Sequence, residues 1–387
     1  MNTAIQNIIK KIWLKNDQNL WDADIAKERK FLASLPEPAT SAQRSYFHYL
    51  CHDIFYKSSR WTLWKVIAFF MLPGFFLHLL FKGCKKIQYT PSEGVFMGRI
   101  SLQYVRKTIA GECSQWAEMG VLGEMSLTGQ DVRFFLPLWF RYFFSPLFTL
   151  KILMKIARYS WVIRKYSPKI IMTEESTSFQ ASLMTEYCHR HTIRHYFAQH
   201  GEIFFNLRDV LADFDRYYIW DNEYKNILTD LRCPQDREYI AVSPYAGQVP
   251  QSSDTEKTVD CTYYLQIEDE ESLRRKYEYL SRLRKKTGWK IAVRPHPCYT
   301  DMKAFEQIFA DFEREDVKAL SFEASMARTK NVLAFYSAVL FQAYLCGTDT
   351  IIDDIYAPEK IEILRQRGYI MLTGKCRMLS DIISTID

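Results

Sequence analysis

Short apolar runs alternate with stretches of helical repeat along this chain, and the clearest case lies near its middle. Residues 169–172, KIIM, form an apolar run of strand length. In the STSFQASLMTEYCHRH that follows, Phe179, Leu183 and Tyr187 recur at four-residue spacing, which marks one face of a helix. Ser176 or Thr177 is placed to cap it. The run IRHYFA (193–198) is a second strand. Strand, helix and strand in this order predict a βαβ unit and therefore a parallel sheet. RYYIWDNEY (216–224) supplies one more strand.

The alternation resumes downstream. CTYYLQI (261–267) is a strand. SLRRKYEYLSRLRKKTG (272–288) is a helix with Leu273, Tyr277, Leu280 and Leu283 inward, a basic outer face and Gly288 as its stop. KIAV (290–293) is a strand that ends at RPHP, and VKALSF, VLAFYSAVLFQAYLCG and TIIDDI continue the pattern. Between the halves, SPYAGQVPQSSDTEKT (243–258) is rich in Pro, Gly and Ser and reads as a linker. The expected organisation is an N-terminal α/β domain over 1–245, a linker over 246–257 and a C-terminal α/β domain over 258–387. The first fifty or so residues read as polar helices. Ligands of open parallel sheets bind beyond the carboxyl ends of the strands, so the strand-to-helix junctions are where chemistry is expected.

Composition narrows the class. A chain of 387 residues with 48% hydrophobic and 25% charged positions is long enough for two folded cores and is not a disordered type. The net charge of +6 suits an anionic partner, but nucleic-acid binders concentrate their charge more, so none is expected. The nine cysteines contain no Cys-x-x-Cys pair, which fits neither a disulfide framework nor a zinc site and favours a reducing cytoplasm. The N-terminus lacks the charge order and cleavage site of a secretory signal.

Two segments depart from this average. Residues 54–86 hold six Lys or Arg and no acid, and enclose VIAFFMLPGFFLHLLF, a run of 16 residues interrupted by Pro73 and Gly74. That run is shorter than the ~20 residues a spanning helix needs. Residues 133–165 hold seven Lys or Arg, ten aromatics and again no acid. Rings mixed with cations suit the headgroup layer of an anionic membrane, so peripheral contact is the expectation. Core helices with outward lysines are the alternative.

Three motifs fall at strand ends. AQHGE (198–202) carries His200, whose imidazole could take a proton from a hydroxyl, and Glu202, which could orient it or act as the base. Gly201 between them would permit a tight turn and close approach of a substrate. RPHP (294–297) carries Arg294, a bidentate phosphate partner in principle, and His296, held between two prolines that fix φ. AFYSAVLFQAYLCG (334–347) places Ser337 as the N-cap of an apolar helix, beside free backbone N–H groups. Each has a plainer reading, as an incidental loop histidine, a proline-rich turn and an ordinary cap. TEEST (173–177) opens a helix with Glu174 and Glu175, as the helix dipole favours. Asp353 and Asp354 could face a metal, but no metal site is expected.

QHG in the first α/β domain, then RPHP, then YS before a helix resembles bacterial glycosyltransferases of the two-Rossmann GT-B type. The nearest groups are sialyltransferases, Kdo transferases and the CDP-glycerol glycerophosphotransferases of teichoic-acid synthesis. The resemblance implies two Rossmann-like domains whose parallel sheets face a central cleft. It implies His200 or Glu202 as general base, and Arg294, His296 and Ser337 on the donor nucleotide and its phosphate. It implies no cofactor, a nucleotide-sugar donor that is CMP-linked, and a glycan or glycolipid acceptor of capsule or lipopolysaccharide type. It places the protein in the cytoplasm, on the inner face of the membrane. Here QHGE stands where sialyltransferases carry an acidic pair before Gly, and Ala338 follows Ser337 where a second Ser or Thr is usual. A CDP-polyol phosphotransferase and a non-catalytic polysaccharide-assembly protein are the alternatives.

Overall fold

The computed structural model describes residues 21, 24–55, 61–98, 105–106, 108–109, 111–120, 123–175, 177–242 and 256–384. Residues 246–255 of the expected 246–257 linker, the capping Ser176 and the first 20 residues lie outside them. Two compact units are formed: residues 24–200 with 205–242, and residues 256–384 with Trp21 and 201–204.

In the first unit, helices α1 (Ile25–Ser34), α2 (Ser41–Phe55) and α3 (Trp61–Gly83) precede strands β1 (Gly94–Met97) and β2 (Trp116–Met119). Helices α4 (Gly129–Arg141) and α5 (Pro146–Tyr166) follow, then β3 (Ile170–Thr173), α6 (Ala181–Arg190), β4 (Arg194–Ala198), β5 (Arg216–Ile219), α7 (Glu223–Asp230) and β6 (Glu238–Ala241). The strands make one parallel sheet in the order β2-β1-β3-β4-β5-β6. β1 and β3 are buried along their whole length, as a sheet covered on both faces requires. Their side chains alternate between two cores. Val95, Met97 and Ile171 join Tyr49, Phe135, Phe148 and Leu183 on one face, while Phe96, Ile170 and Met172 join Val105, Tyr196 and Tyr218 on the other.

In the second unit, β7 (Val259–Tyr264), α8 (Glu270–Thr287), β8 (Ile291–Arg294), α9 (Met302–Ile308) and β9 (Glu313–Arg314) come first. Then come α10 (Phe322–Ala327), β10 (Thr329–Ala334), α11 (Ala338–Leu345), β11 (Asp349–Ile352), α12 (Pro358–Gln366), β12 (Arg377–Met378) and α13 (Leu379–Ser384). This sheet is also parallel throughout, ordered β12-β11-β10-β7-β8-β9. α8 starts on the Asp269 cap and stops at Gly288, whose φ of 70° is costly for residues with a Cβ. Leu273, Leu280 and Leu283 are fully buried, each contributing about 1.5–3 kcal/mol. The fold is thus the expected α/β class, with two Rossmann-like units.

Three local expectations change. α6 begins at Ala181 and its N-cap position, Gln180, makes no side-chain cap, so Glu174 and Glu175 precede the helix instead of opening it. The apolar run at 66–81 belongs to a longer helix, α3, of 23 residues that continues through Pro73. Among the described residues it is the one helix long and apolar enough to cross a membrane, and only 17% of its apolar window is buried. One side, with Ala68, Leu72 and Leu79, is buried, and the helix packs against α5. The second acid-free segment is largely core: α5 buries Phe148, Ile152, Leu153 and Ile156, while Phe140 and Phe144 at the α4–α5 corner stay exposed.

Candidate functional site

In the second sheet the chain runs outward from β7 through β8 to β9, then returns to β10 on the other side of β7. The strand order reverses between β7 and β10, and ligands of such sheets collect at that point, beyond the carboxyl ends. His296 follows β8 and Ser337 follows β10, so both expected residues stand on this edge, on the two neighbours of β7.

The mount of His296 is explicit. Its backbone N–H donates to Thr300 Oγ1 at 2.8 Å, and Thr300 Oγ1 in turn reaches the Gln266 carbonyl at 3.4 Å, at the end of β7. The imidazole Nδ1 accepts the Cys298 N–H at 3.2 Å, and the ring stacks on Tyr299 with centroids 4.6 Å apart. Burial lowers the proton affinity of the ring, so it is neutral at pH 7. With Nδ1 accepting, the single ring proton is on Nε2, and that donor has no partner among the described residues. The loop therefore presents one neutral N–H donor in a fixed direction.

Ser337 caps α11, accepting the Val339 N–H at 3.3 Å. Its own N–H lies 3.4 Å from the Tyr369 hydroxyl. The Ala338 N–H has no partner among the described residues, which leaves one donor at the positive end of the helix. Tyr369 was not visible from the sequence as part of this edge. Burial, followed by the nearby Glu202 carboxylate, holds its hydroxyl well above the usual tyrosine range.

Arg294 does something other than expected. Its Nη1 pairs with Glu315 at 3.0 Å and its Nη2 reaches the Leu320 carbonyl at 3.1 Å, with the residue only 8% exposed. Glu315 also accepts from Ser325 at 2.6 Å and from Arg328 at 2.7 Å. A guanidinium committed to a buried carboxylate is not available to a phosphate. Arg294 braces the base of the His296 loop instead. Asp353 is likewise internal: fully buried, it accepts from the Tyr263 and Tyr279 hydroxyls and from the Ile355 and Tyr356 N–H groups. Asp354 holds Ser380.

In the first unit, His200 follows β4 and is exposed, with no partner among the described residues. Gln199, fully buried, anchors it. The Gln199 side-chain oxygen accepts the Trp220 N–H at 2.9 Å, and its carbonyl accepts the Trp220 indole N–H at 3.1 Å. Gly201 has no positive φ, and a Cβ there would meet nothing within 4 Å. The turn does not demand glycine; the space beside it is open. His200 belongs to the first unit, while Glu202, which could orient it or be the base itself, groups with the second, near Tyr369 and Cys376.

No family model and no curated protein matches this chain. Among solved structures, it is similar to the UDP-GlcNAc 2-epimerase of Methanocaldococcus jannaschii in complex with UDP-GlcNAc and UDP. That likeness has 11% identity, covers 76% of this chain and 91% of the other, and has a TM-score of 0.46. The wall teichoic acid polymerase TagF is similar at 11% identity over 77% of this chain and 80% of its own, with a TM-score of 0.42. The UDP-GlcNAc 2-epimerase of Neisseria meningitidis is similar at 11% identity over 76% and 93%, with a TM-score of 0.41. The two-unit α/β fold rests on the strand orders described above, and these structures are what it is similar to.

Proposed function

We propose that this chain is a glycosyltransferase of GT-B type that takes a sugar from a nucleotide-activated donor, CMP-linked sialic acid or Kdo in type, and builds a bacterial surface glycan such as capsule or lipopolysaccharide. The observation that carries this reading is the fixed Nε2–H of His296, on the carboxyl edge of a sheet whose strand order reverses beside it. Transfer from a nucleotide sugar develops negative charge on the departing phosphate. Preorganised N–H donors stabilise that charge without reorganising. His296 Nε2–H and the N-terminus of α11 at Ser337 are the donors assigned here. His200 is the base assigned to the acceptor hydroxyl, since its imidazole is exposed and unengaged among the described residues, with Glu202 as the other candidate.

The test is calorimetric titration of wild type and His296→Ala with CMP and UMP. CMP binding that weakens by about tenfold or more in the variant is the expected result, the cost of one hydrogen bond to a charged group. Unchanged affinity removes His296 from the nucleotide. Absence of any nucleotide binding by wild type overturns the reading and favours a non-catalytic assembly protein. A histidine at the end of β4, in the place of an acidic pair, favours the CDP-polyol phosphotransferase as second reading. Release of CMP from CDP-glycerol, with none from CMP-sugars, decides for it.

Association with the inner face of the membrane is the other half of the proposal. It is supported by the exposed Phe70 and Phe81 of α3, by Phe144, which is 95% exposed, and by Lys82, Lys85 and Lys86, which follow Phe81 in the chain. Packing of α3 along α5 supports a helix lying in the interface over one crossing it. Flotation with anionic vesicles at low salt checks this. Phe70→Ser combined with Phe144→Ser is expected to cut the bound fraction at least about tenfold, because each ring contributes about 1.5–3 kcal/mol when buried. Wild-type protein left wholly in the soluble fraction contradicts it.

A further inference from the structure

The first sheet has its own reversal point. The chain passes from β1 out to β2 and returns to β3 on the other side of β1. Beyond the carboxyl end of β3 lies a cavity of about 380 Å³, lined by residues that follow β3, by the inner face of α5 and by His52 of α2. That volume falls in the range of small-ligand sites. None of the residues assigned above to the nucleotide or to proton transfer lines it.

The charges in this cavity do not balance. Lys151, Lys155 and Arg158 line it from successive turns of α5, and Glu175 is the one carboxylate among its lining residues. Glu175 is already paired with Lys155. Lys151 has no carboxylate partner among the described residues; its ammonium lies over the rings of Trp61 and Phe179, at 5.4 and 5.5 Å. Arg158 is 5% exposed and donates to the Gly120 and Glu124 carbonyls at 2.8 and 3.1 Å. Its Nε–H is buried and has no acceptor among the described residues. Gly123 passes so close that a Cβ there would lie 2.8 Å from the guanidinium. His52 adds no positive charge, because burial and the neighbouring His48 hold its proton affinity well below the usual value. Burial likewise lowers the proton affinity of Lys151, a cost that no carboxylate among the described residues offsets. Such local conflict is expected where a ligand supplies the missing partner.

We propose that this cavity is a second ligand site, which takes a phosphate or diphosphate group through Lys151, Lys155 and Arg158. The site deepens the acceptor half of the transferase reading and rests on it, giving the acceptor a phosphorylated end. The phosphate belongs either to a soluble ester or to a lipid headgroup. The two sources share this chemistry, and Trp61 beneath Lys151 opens the exposed apolar helix α3.

The experiment compares wild type, Lys151→Met and Lys151→Arg. Inorganic pyrophosphate is titrated by calorimetry, and vesicles of phosphatidylcholine with and without phosphatidic acid are tested by flotation. Loss of about tenfold or more in pyrophosphate affinity in Lys151→Met, with recovery in Lys151→Arg, is the expected result. Selective, Lys151-dependent binding to phosphatidic acid vesicles with no pyrophosphate binding also supports the site and assigns the phosphate to a headgroup. Pyrophosphate and vesicle binding that are both indifferent to Lys151 overturn the proposal. A melting temperature of Lys151→Met at or above that of wild type shows that the fold is intact. CMP titration of the same variant separates the two readings: CMP affinity stays at the wild-type level if the sites are distinct, whatever wild type itself binds.

Discussion

Replacing His200 by alanine is expected to slow transfer by about 10²–10⁴-fold, the usual contribution of a positioned general base, and to leave CMP affinity unchanged. Gln199 fixes the end of β4 through both of its bonds to Trp220, so the substitution removes an exposed side chain beyond that anchor and little else. The nucleotide donors assigned here, His296 and the start of α11, belong to the second unit, so their affinity is a separate reading. Single-turnover rates with a CMP-sugar, beside calorimetric CMP titration, give both numbers. Wild-type turnover in His200→Ala removes it as base, and the same measurement on Glu202→Gln then tests the remaining candidate.

Arg294→Ala is expected to destabilise the second unit by about 3 kcal/mol. Breaking a buried pair costs roughly 3–5 kcal/mol, because one charge is left without its partner. The lower end applies here because Arg328 still holds the other side of Glu315. The Leu320 carbonyl loses its donor as well. Thermal or urea unfolding of the purified variant measures the loss. An unchanged unfolding midpoint together with lost CMP affinity would restore the phosphate role that the RPHP motif implied. The structural role predicts the reverse order: stability falls first, and nucleotide affinity falls only as far as the His296 loop loosens.

The contrast between Arg294 and His296 shows what the sequence could carry. His296 is held by neighbours two and four residues away, Cys298 and Thr300, and by the prolines beside it, so its rigid presentation was legible from the motif. The partner of Arg294 is 21 residues downstream. It arrives only because β8 pairs with β9 in a register that sets Val293 against Arg314, which brings Glu315 to the end of β8. No periodicity encodes that. The central βαβ unit and the strands around RPHP were legible because their apolar runs are bounded by turns. β1, GVFM, was not, because no helical repeat follows it to mark a strand–helix unit; β2, with WAEM half exposed, was no clearer. The length of α3 escaped because Pro73 and Gly74 look like breakers. The helix continues because Ala68 and Leu72 before them, and Leu79 after them, are buried on one side. The cavity under α5 escaped for a different reason. Lys151, Lys155 and Arg158 read as cations of an interfacial helix, and only the fold turns them inward toward the end of β3.

The strand orders also bear on how the chain matures. All six strands of the first sheet lie before residue 242, and all six of the second begin after 258. Among the described residues neither sheet borrows a strand from the other, so during synthesis the first can form before the second is complete. The short segment 201–204 is the exception, for it is made early and groups with the late unit. Two of its neighbours, Tyr369 and Cys376, come far later in the chain. Glu202 therefore gains its final surroundings only once nearly all of the described chain has left the ribosome, long after His200 has taken its place on β4.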